Sequence, residues 1–235
     1  MENKKVILIT GTRKGIGRHL SEYYCDKNFT VIGCSRAESD FENSNYKHFI
    51  LDITDELKVK ELFSDIRKNY KKLDILINNA GIASMNHVML TPLKTVENIF
   101  NTNFTGAFLF SREASKIMSK NKNKSGRIIN LSSVAVDLNL EGEAIYAASK
   151  SALVTFTKIL AKELSGFGIT VNSIGLTPAE TDLIKNVPEV KMKRLLERLS
   201  INRFANYSDI TNVTDFLIND ESNFITGQNI NLGGV

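Results

Sequence analysis

Short apolar, β-branched runs alternate along the chain with longer stretches in which apolar residues return every three or four positions. The short runs are Val6 to Thr10, Thr30 to Cys34, His48 to Leu51, Ile75 to Asn78, Arg127 to Leu131, Ile169 to Ile174 and Asn229 to Leu232. Their near-continuous hydrophobicity predicts strands buried on both faces of a parallel sheet. Between them Gly17 to Asp26, Glu56 to Tyr70, Val96 to Met118 and Ala147 to Leu164 have helical length. This β-α-β-α order predicts an α/β fold, a doubly wound sheet with about seven parallel strands, helices on both faces and right-handed crossovers. Leu176 to Asn206 breaks the alternation with two of the three prolines, a charged helix-like piece from Glu189 to Leu199 and no strand. An insertion of that length after a strand's carboxyl end predicts a substrate loop or lid at about 176–206. No internal repeat or long Pro/Gly/Ser linker divides the chain, so a single domain over 1–235 is expected.

Composition narrows the class. Hydrophobic residues make up 42% and charged residues 24% of the 235, which excludes a disordered or fibrous chain. Lys plus Arg (30) exceeds Asp plus Glu (26) by four, a surplus too small and scattered to point to nucleic acid or a membrane surface. Cys25 and Cys34 cannot build a disulfide framework, and free thiols fit a reducing compartment. Met1 to Lys5 leads into an apolar run of four residues, too short for a signal-peptide core or a bilayer span, so the expected location is cytoplasmic. His19, His48 and His87 lie in unrelated segments, which predicts no metal site.

The first candidate site is the turn Thr10-Gly11-Thr12-Arg13-Lys14-Gly15-Ile16-Gly17, which follows the first strand and opens a helix. Glycines there let the backbone turn tightly and approach a pyrophosphate. The free N–H groups and dipole at the helix start favour its negative charge. In that context the turn predicts dinucleotide binding and a Rossmann-like domain. A tight turn using glycine for positive φ alone is the plainer alternative.

The G-x-x-x-G-x-G spacing resembles that of the short-chain dehydrogenase/reductase family, and other segments extend the resemblance over nearly the whole chain. Asp74 to Gly81 contains the N-N-A-G strand end at Asn78-Asn79-Ala80-Gly81, Asn103-Phe104-Thr105-Gly106 matches N-x-x-G, and Tyr146-Ala147-Ala148-Ser149-Lys150 matches Y-x-x-x-K. Thr226-Gly227-Gln228 and Gly233-Gly234 resemble the usual end of the fold. The pattern is similar to the branch of 3-oxoacyl-carrier-protein reductases.

The resemblance implies Gly11, Arg13, Lys14, Gly15, Ile16, Gly17, Asn79, Ala80 and Gly81 as cofactor-binding residues, with Asp52 at the position that hydrogen-bonds the adenine. An acidic residue about 20 positions after the glycine turn normally holds an unphosphorylated ribose. Here the second strand ends Gly33-Cys34-Ser35-Arg36, with no carboxylate. Arg36 can offer its planar fork to a 2′-phosphate, and Lys14 stands where NADP-preferring members often carry a second cation. The expected cofactor is therefore NADP(H).

Tyr146 and Lys150 are four residues apart and face the same way from a helix. An ammonium about 4 Å from the phenol contributes ~4 kcal/mol at an effective dielectric of about 20, or ~3 pK units toward phenolate before desolvation subtracts. Tyr146 is thus expected to donate the proton to a carbonyl oxygen, while Lys150 lowers its pKa and holds the nicotinamide ribose. By the same resemblance Ser133 hydrogen-bonds the substrate oxygen, and Asn103 holds a water that relays protons toward Lys150. The resemblance also implies Thr181 as the contact to the carboxamide. Where the family usually has Pro-Gly, this chain has Leu176-Thr177 followed by Pro178, which puts the shape of that loop in question.

The implied activity is an NADPH-dependent reductase acting on a small-molecule or carrier-bound carbonyl. Alternatives are a dehydrogenase of a sugar or other hydroxylated metabolite, and a non-catalytic NADP(H)-sensing protein. Helical segments 96–118 and 147–164 carry more apolar residues than one sheet face covers, so a homodimer or homotetramer is expected.

Overall fold

In the computed structural model, residues 4–179 and 189–235 are described. Seven parallel strands, β1 (Val6–Thr10), β2 (Thr30–Ser35), β3 (Tyr46–Ile50), β4 (Ile75–Asn78), β5 (Gly126–Ser133), β6 (Ile169–Leu176) and β7 (Asn229–Asn231), form one sheet. Their spatial order is β3-β2-β1-β4-β5-β6-β7. The chain winds outward from β1 in one direction through β3 and then in the other through β7, leaving a crevice at the carboxyl ends of β1 and β4.

The pleat divides the apolar residues between two faces. Leu8 packs with Phe63, Phe110 and Leu160 from α2 (Glu56–Asn69), α4 (Gly106–Met118) and α6 (Ala144–Leu164). Its neighbours Ile7 and Ile9 pack with Leu20, Tyr24 and Leu217 from α1 (Gly15–Asp26) and α8 (Tyr207–Ile218). Covering both faces makes the strands read as unbroken apolar runs.

Caps set the helix ends. The Asp55 carboxylate accepts from the N–H groups of Leu57 and Lys58 at the start of α2, whose last turn carries Arg67 and Lys68. Asn206 and Asp209 form a reciprocal capping box on α8.

The sequence predicts one helix over Val96 to Met118. The structure instead has α3 (Leu93–Phe100), a π-helical segment Asn101–Thr105, and then α4. Here the Asn103 side chain turns away to bond the Ile82 backbone. Gly106 leaves room for Ile53, whose Cδ1 would stand 2.6 Å from any Cβ there. Two short helices complete the fold, α5 (Ala135–Leu138) and α7 (Glu189–Leu196), the latter within the segment predicted as a lid.

Candidate active site

The glycine turn is built as a cradle. Gly11 and Gly15 have φ of +74° and +60°, a region that favours glycine. A Cβ on Gly17 would collide with the Gly11 carbonyl and the Asn79 amide, so α1 starts directly against the turn. Asn79, the residue after β4, holds this arrangement by donating from Nδ2 to the Thr10 and Gly11 carbonyls (2.7 and 3.2 Å). The Thr10 hydroxyl accepts from the N–H groups of Asn79 and Ala80 (3.0 and 2.9 Å). These bonds join the chain at the carboxyl ends of β1 and β4.

A cleft of about 730 Å³ runs along the carboxyl edge of the sheet. Gly11, Arg13, Lys14, Gly15, Ile16, Arg36, Asp52, Asn79, Ala80, Gly81, Ser133, Tyr146 and Lys150 all line it. Gly17 and Asn103 stand behind the wall, and Thr181 lies outside the described residues. Asp52 is exposed on the rim and its Oδ1 accepts from the Thr54 N–H and hydroxyl (2.9 and 2.8 Å). Its proximity to the helix start is not a cap; Asp55 has that role.

At the other end of the cleft, β5 delivers Ser133 and α6 delivers Tyr146 and Lys150. The Ser133 hydroxyl accepts from the Ala135 N–H (3.2 Å) and exerts a lowering influence on the Tyr146 phenol. Burial pushes that phenol up to about 12, against the opposing pull of Ser133, while Glu143 adds to the rise. Lys150 is buried, its Nζ donates to the Leu131 carbonyl at 2.6 Å, and burial brings its pKa down to about 8.

The sequence-based picture of Lys150 drawing Tyr146 toward phenolate is corrected here. Burial, the largest influence on the phenol, raises its pKa instead of lowering it. The phenol is held as an acid.

Asn103 is committed to protein. Its Oδ1 accepts from the Ile82 N–H (2.9 Å), and Nδ2 donates to the Ile82 carbonyl (2.9 Å) and the Ser149 hydroxyl (3.0 Å). Ser149 in turn donates to the Tyr146 carbonyl at 2.7 Å. Asn103 thereby ties the chain after β4 to the helix that carries Tyr146. A Cβ on Gly81 would lie 3.3 Å from Asn103 Oδ1 and 3.4 Å from Lys150 Nζ, so Gly81 keeps the space between them open.

Ser132, the neighbour of Ser133, is buried, and its hydroxyl has no hydrogen-bond partner among the described residues. The loop that departs from Pro-Gly is tied down at Pro178, whose carbonyl accepts from the Ala205 N–H (2.9 Å), while Leu176 to Ala179 line the cleft. Met85, Leu140, Met192 and Leu195 also line it and were not singled out from sequence. They come from irregular chain or from the segment after β6, where apolar periodicity gives no direction.

A family model described as short chain dehydrogenase matches residues 5–191. The 3-oxoacyl-[acyl-carrier-protein] reductase FabG of Escherichia coli (strain K12) is 33% identical over 98% of this chain and 96% of its own. That of Buchnera aphidicola subsp. Schizaphis graminum (strain Sg) is 35% identical with the same coverage. Among solved structures, ElxO with NADP bound superposes with a TM-score of 0.87 at 29% identity, over 97% of each chain. A 4-hydroxyisoleucine dehydrogenase complexed with NADH gives 0.85 at 29%, over 98% of each. The chain belongs to the short-chain dehydrogenase family and is an oxidoreductase acting on CH–OH or C=O groups. Among the described residues no helix is long and apolar enough to cross a membrane.

Proposed function

We propose that this chain is an NADPH-dependent ketoreductase of the 3-oxoacyl-carrier-protein reductase type, working in the cytoplasm. The observation that carries the reading is one cleft with Arg13, Lys14 and Arg36 toward its glycine-turn end and Ser133, Tyr146 and Lys150 toward the other. The positive-φ glycines and the absence of room for a Cβ at Gly17 fit a pyrophosphate laid against the start of α1. Gly11, Gly15 and Ile16 would hold that part, Arg13, Lys14 and Arg36 a 2′-phosphate, Asp52 the adenine and Lys150 the nicotinamide ribose. When bound, the nicotinamide supplies the hydride for the carbonyl carbon.

The chain's own residues do the rest. The Ser133 hydroxyl donates to the substrate oxygen and fixes its place beside Tyr146. The Tyr146 phenol, kept protonated by burial, releases its proton to that oxygen as negative charge develops on it. Lys150 carries a cation deep in the wall, where low dielectric strengthens its field on the same oxygen. Residues at about 176–206 serve as the substrate loop, and 1–235 as one NADP-binding domain. Asn103 positions these groups through Ile82 and Ser149.

The reading is tested by NADPH oxidation with purified protein across simple ketones and β-ketoacyl thioesters. Turnover of the thioesters supports it. Oxidation of a hydroxylated metabolite instead, the reaction class named for the 4-hydroxyisoleucine dehydrogenase neighbour, would replace the substrate half of the reading. Tight NADPH binding with no turnover would leave a sensor.

A further inference from the structure

Behind the glycine-turn end of the cleft lies a polar network that no part of the mechanism uses. It starts at Thr12, a fully buried residue whose N–H donates to the Cys34 carbonyl at 3.2 Å. The Tyr46 hydroxyl oxygen lies 2.8 Å from both Thr12 Oγ1 and His48 Nδ1. On the far side of the imidazole, Nε2 is 3.1 Å from both Ser35 Oγ and the Ala37 carbonyl oxygen. Ser35 Oγ itself donates to the Ala37 carbonyl at 2.6 Å.

The proton positions follow from what each atom can do. The Ala37 carbonyl only accepts, and the Ser35 proton is already directed to it, so Nε2 carries the ring hydrogen and donates to both. Nδ1 then accepts from the Tyr46 hydroxyl at 2.8 Å, and the Thr12 hydroxyl supplies the proton of the Thr12–Tyr46 contact. Desolvation holds His48 below the usual histidine range, which keeps the ring in this neutral form. Space for the network comes from Gly33, where any Cβ would collide with the Tyr46 and Thr12 hydroxyls.

The ends of this network matter more than its middle. One end is the residue before Arg13, and the other is the pair Ser35 and Ala37 that brackets Arg36. Ser35, Arg36 and Ala37 all line the cleft with Arg13 and Lys14. An exposed arginine on a free strand end samples many positions, whereas a bend fixed through its neighbours aims it.

We infer that His48 is a positioning residue that selects the 2′-phosphorylated cofactor, by locking the Ser35–Ala37 bend and thereby fixing Arg36 relative to Arg13 and Lys14. This rests on the NADPH reading above. It adds a determinant on β3, which does not line the cleft at that position.

The test compares wild type, His48→Leu, His48→Gln and Tyr46→Phe for dissociation constants of NADPH and NADH, with kcat at saturating NADPH and the thermal midpoint measured alongside. His48→Leu fills much of the ring's volume and removes both hydrogen-bonding edges. It is expected to weaken NADPH about tenfold, the scale of one or two lost hydrogen bonds, with NADH affinity within about twofold of wild type and kcat unchanged. His48→Gln retains a distal N–H for Ala37 and should restore most of the selectivity. Tyr46→Phe, which keeps the ring against Phe41, should fall between and remains informative if His48→Leu fails to fold. Equal weakening of both cofactors would mean a merely structural network, and an unchanged NADPH/NADH ratio in every variant would overturn the inference. A wild-type protein without preference for NADPH would overturn the NADPH reading and this inference together. Retained preference in both wild type and variants sinks the inference alone.

Discussion

Lys150 donates from Nζ to the carbonyl oxygen of Leu131 at 2.6 Å, so the buried cation of the site is anchored to the sheet. With burial bringing Lys150 from 10.5 down to about 8, the folded protein releases a proton that the unfolded chain keeps to about 10.5. Stability from this group therefore rises with pH across that window, and its penalty is fully present below about 8. The scale is about 3 kcal/mol. Lys150→Met is expected to raise the thermal midpoint at neutral pH, offset in part by loss of the Leu131 bond, with the gain shrinking as pH climbs from 8 toward 10.5. Melting curves of both proteins across pH check this, and a gain that grows with pH would refute it.

In catalysis the same titration has a different reading. Tyr146, held near 12, remains an acid throughout the working range, so the group losing its proton is Lys150. The reductive kcat/KM is expected to be level below about 8 and to decline above it. In Lys150→Arg, a permanent cation, any residual activity should lack that limb. A pH profile from 6 to about 10 distinguishes the two.

Tyr146→Phe should lower reduction by about 10³-fold, within the range for a lost general acid, with cofactor affinity nearly unchanged. Ser133→Ala is expected to lose ~10²-fold, like an oxyanion donor. Ser132→Ala should be mild in activity and neutral or stabilising, because it removes a buried hydroxyl that has no partner among the described residues. Single-turnover rates and thermal midpoints separate the three.

Arg36→Asp places a carboxylate where the second strand ends with a cation. NADPH binding should weaken by about 10²-fold through lost charge-assisted bonds and new repulsion, while NADH improves relative to it. Fluorescence titration with each cofactor measures the ratio directly.

On the outer faces of α4 and α6, Phe108 and Ile159 are 38% and 52% exposed, with Phe156 set edge-on to Phe104 and Phe108. This fits a two-fold association burying both helices. Sedimentation at micromolar concentration should give a dimer or tetramer, and Phe108→Glu should shift it toward monomer.

The runs at Val6 to Thr10 and Ile75 to Asn78 were legible to the residue, because burial on both faces leaves no polar interruption. β3 begins two residues earlier than its pattern suggests. It lies at the sheet edge, where the Tyr46 ring packs on Phe41 while its hydroxyl and the His48 imidazole join a polar network. α8 was missed: Thr, Asp and Asn weaken its helical pattern, although Asn206 and Asp209 carried a capping signal. Motif spacing brought Ser133, Tyr146 and Lys150 to one cleft. It gave no sign of the ammonium's direction, which depends on a carbonyl nineteen positions away.

The winding outward from β1 also separates the cleft's two ends in the gene. Arg13, Lys14, Arg36 and Asp52 are encoded before residue 53, whereas Ser133, Leu140, Tyr146, Met192 and Leu195 are encoded after residue 132. Recombination between them can exchange one end while keeping the other, and mutations that retune cofactor choice need not disturb substrate choice. Between them Asn79 to Ala83 also line the cleft, and a side chain at Gly81 would press on Asn103 and Lys150.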